Sequence, residues 1–110
     1  MIGRLWHGWT SRANADAYER LLLDEVLPGI HRVPGYEGAF VLRREAGDEI
    51  EFVTVTFFTS YDAVRAFAGE DHEKAVVPPH ARRLLSRYDE RSTHYETILD
   101  PRRAAPGATT

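Results

Sequence analysis

The sequence predicts an α+β domain with helices packed on one face of an antiparallel sheet. Three observations carry this: strand-like alternation over residues 2–10, helical spacing of apolar residues from Tyr18 to Val26, and a paired run of β-branched and aromatic residues over 36–58. In the first strand Leu5, His7 and Trp9 share one face and Arg4, Trp6 and Gly8 the other, so aromatics stand on both sides. A strand carrying Trp on each face is expected to be covered on each face and hence central. Asn14 is a plausible cap for the helix that follows, in which Tyr18, Leu22 and Val26 recur every four residues until Pro28-Gly29 ends the pattern.

After the turn signal Pro34-Gly35, residues 36–45 and 48–58 read as two strands joined at Ala46-Gly47. Ser60 opens a second helix, expected to run through Val64, Phe67 and His72 to Val76, with Gly69 as its weak point. Pro78-Pro79 suits the first turn of a third helical segment, with Ala81, Leu84, Leu85 and Tyr88 as its apolar stripe. Residues 92–99 read as a last strand, and residues 100–110 as a polar, disordered tail. The resulting order, βαββ, a broken helix, then β, is that of ferredoxin-like folds over residues 2–99. Helices on one side leave the other side of the sheet to be covered. Arg4, Trp6, Phe52 and Phe58 exemplify the aromatic-bearing strands that a lone domain would leave wet, so a homodimer formed through the sheet is expected.

A chain of 110 residues accommodates one core. Its 43% hydrophobic and 28% charged residues describe an ordinary globular protein. A formal net charge of −3 argues against nucleic acid or anionic lipid as a partner. With no cysteine there is neither a disulfide framework nor a thiolate metal site, and the cytoplasm is the expected location. The alternating start reads neither as a secretory signal nor as a membrane anchor.

The stretches Leu5-Trp6-His7-Gly8-Trp9-Thr10, Val33-Pro34-Gly35-Tyr36 and Val53 through Val64 resemble the antibiotic biosynthesis monooxygenase family, whose members form dimeric α+β barrels. The resemblance implies oxidation of a small aromatic or polycyclic substrate in a pocket between sheet and helices, by a homodimer with no cofactor or metal. Some members of the family instead degrade haem. Against the cofactor-free oxygenases, the positions of an Asn, a Trp and a Tyr fall here at about Thr54, Phe58 and Val64. Against the haem degraders, the relevant positions are Leu5 or His7, Phe58 and about Val77. None keeps the family's residue, and only a shift in register would let His72 or His80 stand in for the haem ligand.

His72 and His7 are the candidate catalytic bases. His72 lies at helical spacing with Ala75 and Val76, on the face expected to look toward the sheet, and His7 lies on the central strand, where a polar ring needs a partner or a ligand. Each equally suits a structural role, one as a half-exposed helix residue and the other as a satisfied core histidine. Trp9, Trp6, Phe58, Tyr61, Phe67 and His94 are the candidate substrate contacts, with His94 expected near His7 because the first and last strands should be neighbours. Two histidines without a third ligand do not make a divalent metal site. No glycine-rich phosphate loop, nucleophile elbow or cysteine nucleophile is present, which removes nucleotide-dependent and acyl-enzyme chemistry. The competing reading is a non-catalytic ligand-binding dimer of the same fold, and after it a haem-binding protein.

Overall fold

The computed structural model describes residues 1–102. The elements are β1 (Ile2–Ser11), α1 (Ala15–Leu21), a π-helical turn (Leu22–Val26), α2 (Leu27–Ile30), β2 (Tyr36–Ala46), β3 (Glu49–Phe58), α3 (Tyr61–Ala68), α4 (Pro79–Leu84), β4 (Leu85–Tyr88) and β5 (Thr93–Glu96). All strand pairs are antiparallel, in the order β2-β3-β1-β4, with β5 also on β1. This is the ferredoxin-like arrangement with its last strand in two pieces: β4 pairs with Gly8–Thr10 and β5 with Ile2–Leu5. Among the described residues no helix is long and apolar enough to cross a membrane.

Several local expectations are corrected. The first helix continues through Pro28-Gly29 to Ile30. Proline cannot donate to the preceding turn, and the ladder widens into the π turn immediately before it, where the Leu27 N–H reaches back to the Leu22 carbonyl. The second helix stops at Ala68 instead of running to Val76, because Gly69 turns left-handed at φ +94°. His72 therefore lies in the connection between α3 and α4. Leu85 and Tyr88 leave the third helical segment to form β4. That helix has only six residues, too few to sustain itself, and Thr10 Oγ1 donates 2.6 Å to the Leu84 carbonyl at its end. The last strand is confined to Thr93–Glu96. Of the tail expected to be disordered, Arg102 is held, with Nη1 donating 2.8 Å to the Glu37 carbonyl and the guanidinium over the Phe57 ring; residues 103–110 lie outside the described residues.

The helices cover the face of β1 and β3 that bears Ile2, Trp6, Phe52 and Phe58. One core cluster joins Tyr18, Leu22, Phe52, Ala81 and Leu85, and a second joins Ile2, Ile30, Phe58, Ala63 and Val64. Phe52 is fully buried with its ring 4.9 Å from Tyr18, edge to face. The parity expected for the open face is thus reversed: Arg4, Trp6, Phe52 and Phe58 point to the helices. Strand alternation leaves Leu5, Val53, Val55, Phe57, Phe40 and Leu42 on the other side, with Phe40 46% and Leu42 56% exposed. The open face still carries apolar side chains, only different ones.

Candidate functional site

A cleft opens between the sheet and the helical layer. Its cavity is about 60 Å³ and opens to solvent at its mouth, which is smaller than the roughly 300–1,000 Å³ of a drug-sized ligand site. Tyr18, Leu22, Val26 and Ile30 from the helical layer form one wall, Trp6 and Phe67 others, and Val77 and Pro78 the edge. The π turn contributes both Leu22 and Val26. Trp6 is pinned by an Nε1–H donation of 2.7 Å to the Asp89 carbonyl. The space for its indole comes from Gly8, where a Cβ would sit 2.7 Å from the ring.

One end of this apolar cleft is polar. Arg4 is only 4% exposed; its Nη1 donates to the His72 carbonyl and to His94 Nε2 at 3.0 Å, and its Nη2 donates 2.8 Å to the Lys74 carbonyl. The guanidinium lies over the Phe67 ring at 5.5 Å. Desolvation lowers its pKa to about 10, so it is a cation at neutral pH. A guanidinium has no acceptor, so His94 Nε2 must accept and the imidazole proton must be on Nδ1. His94 Nδ1 is buried without a hydrogen-bond partner among the described residues, as is the Oγ1 of Thr54 in the cleft wall. Buried polar atoms of this kind are satisfied in most folded proteins, by protein groups or by ordered water, so each of these two calls for a partner.

Burial, then the Arg4 cation, then His72 push the pKa of His94 down to about 4. The linkage has a definite sign. Above its ordinary value of 6.5 the imidazole is neutral folded or unfolded, whereas between that value and about 4 the unfolded chain takes up a proton that the native state resists. Stability is expected to fall across that window and to level off below it, and His94→Gln should remove this part of the decline, as read from urea midpoints at several pH values.

His72, Tyr61 and Phe67 are brought together with His94 around Arg4. The His72 and His94 ring centroids are 5.1 Å apart, and Tyr61 lies 5.5 Å from His72 and 6.1 Å from His94. The ring nitrogens of His72 make no hydrogen bond among the described residues, which leaves them open to a proton. Phe58 stacks beneath Phe67 at 5.6 Å in the second core and does not line the cleft. His7 and Trp9 are not part of this constellation. Alternation places them on the open face, where His7 Nδ1 is 2.8 Å from Asp89 Oδ2, Nε2 is 3.9 Å from Glu51, and the ring stacks on Trp9. The need for a partner that made His7 a candidate is met by Asp89. His94 pairs across from Arg4, not beside His7 as expected. Among the described residues no group of three or more potential metal ligands is clustered.

Reading the sequence did not single out Arg4 as a site residue, and took Thr54 only as a departure from the family. An arginine inside the otherwise apolar half of a central strand was the available signal, since such a charge is rarely buried without purpose.

A family model described as antibiotic biosynthesis monooxygenase matches residues 7–79. No curated protein matches the chain. Among solved structures, a variant of SnoaB, a cofactor-independent oxygenase from Streptomyces nogalater, is similar over 91% of this chain and 95% of its own, at 18% identity and a TM-score of 0.64. MhuD, a heme-degrader from Mycobacterium tuberculosis with two hemes bound, is similar over 91% and 98% at 20% identity and 0.58. The ActVA-Orf6 monooxygenase of Streptomyces coelicolor, in complex with nanaomycin D, is similar over 90% and 91% at 16% identity and 0.54. At these identities the likeness is one of fold.

Proposed function

The chain belongs to the antibiotic biosynthesis monooxygenase family, and from that membership we propose that it is a homodimeric, cofactor-independent monooxygenase acting on a small aromatic or polycyclic substrate held between sheet and helices. The observation that carries this reading is the cleft itself, apolar and aromatic along its walls, with a buried cation and unpartnered polar atoms at one end. A flat ring system suits the walls, and an oxygen substituent suits the polar end.

In the proposed mechanism His72 accepts a proton from the substrate's acidic O–H or C–H, and the resulting electron-rich anion is the reductant. Oxidation of a ring methylene to a carbonyl releases four electrons, which reduce one O2 to the inserted oxygen atom and one water. Trp6 and Phe67 exclude bulk water from the anion while it reacts. The open face of the sheet, with Phe40 and Leu42 exposed, supports association through that face.

One observation favours a non-catalytic ligand-binding dimer as the second reading: among the described residues no imidazole lines the cleft, and His72 stands beside its polar end. Haem binding is the third reading: among the described residues no imidazole lines the cleft, and His94 Nε2 is already engaged by Arg4. Oxygen consumption by the metal-free protein with anthrone and a panel of hydroxylated aromatics separates the first two readings. Uptake above a heat-denatured control is expected, with one water formed per O2; a flat trace across the panel would move the assignment to the binding reading.

A further inference from the structure

The polar end of the cleft consists of donors. Arg4 is a buried cation that no carboxylate of the described residues contacts; its partners are two carbonyls and a neutral imidazole. Glu73, the acidic group whose field reaches His94, is itself engaged by Arg91. Of the five N–H groups of a guanidinium, Arg4 commits both on Nη1 and one on Nη2, leaving Nε–H and the other Nη2–H without a hydrogen bond to the described protein. Nε and Nη2 are the pair that forms a side-on fork for a carboxylate. Thr54 Oγ1, in the same wall, adds a hydroxyl without a hydrogen-bond partner among the described residues. Burying a cation without a counter-charge is costly, and a donor-rich end is completed by a group that only accepts.

We propose that Arg4 is the counter-ion of the ligand, so that the cleft selects aromatic molecules carrying a carboxylate or phenolate oxygen over neutral molecules of the same shape. This rests on the reading of the cleft as the ligand site and deepens it by naming the charge of what binds. It also gives Arg4 a role in the chemistry proposed above, since the cation would stabilise the substrate anion once formed.

The test compares two nearly isosteric probes, 2-naphthoate and 2-naphthamide, by quenching of tryptophan fluorescence and by calorimetry. The wild type is expected to bind the naphthoate at least about tenfold more tightly. That preference should persist when salt is raised, because a buried pair is screened much less than a surface one. Arg4→Gln should abolish the preference, with the naphthoate losing at least about tenfold more affinity than the naphthamide, and Arg4→Lys should retain its sign. Equal affinities in the wild type would overturn the charge assignment and leave the cleft as a ligand site, whereas binding of neither probe would overturn both. The wild-type comparison decides the matter even if Arg4→Gln does not fold.

Discussion

Leu42→Asp is expected to convert the protein from dimer to monomer, halving its apparent mass in light scattering at micromolar concentration. Leu42 is on β2, 56% exposed on the open side of the sheet, and belongs to neither core cluster. Replacing it touches neither core cluster, so the monomer should keep its secondary structure and cooperative unfolding. A two-fold interface presents the same patch twice, and one substitution therefore buries two carboxylates. At several kcal/mol per desolvated ion, about 4–6 kcal/mol in total is a conservative expectation, or three to four decades in Kd. A wild-type protein that is already monomeric at these concentrations would remove the dimer from the proposal.

The second large effect is expected at His72. Its replacement by Ala should lower oxygenation by about 10²–10⁴-fold, the usual contribution of a positioned base, with little change in KM. His7→Ala should leave turnover within a factor of about two, because the His7 ring faces away from the cleft and is held by Asp89. An unchanged rate in His72→Ala would dispose of the base assignment. The His72 carbonyl receives Arg4 and remains in the variant, so the effect reports on the ring and not on the anchoring of Arg4.

The contrast between these two histidines shows where sequence reasoning reaches its limit. Alternation in β1 was legible, and so were the central position of that strand, the pairing of β2 with β3 and the helix starts at Ser60 and Pro79. Which face meets the helices was not, because Trp6 and Trp9 give the two sides equal apolar weight and a one-residue change of parity exchanges every neighbour. The end of α4 was equally hidden: Leu84, Leu85 and Tyr88 satisfy helical spacing, and the chain leaves the helix through contacts with β1 that are distant in sequence. Arg4 is the same lesson applied to the site. Its neighbours in the chain say nothing of the carbonyls of His72 and Lys74, about seventy residues away, which make its burial tolerable.

The π turn at Leu22–Val26 has a consequence for how the helical wall is phased. One extra residue in a helix rotates everything beyond it by about 100° relative to an unbroken α ladder. Upstream, Ala15, Tyr18 and Leu22 address the core around Phe52; downstream, Ile30 addresses the core around Phe58. In an unbroken α ladder residues four apart drift by about 40° per step, so Tyr18 and Ile30 would stand about 120° apart. The wider turn takes up most of that drift, which is how Tyr18, Leu22, Val26 and Ile30 line one wall of the cleft along a segment whose two ends still reach different core clusters.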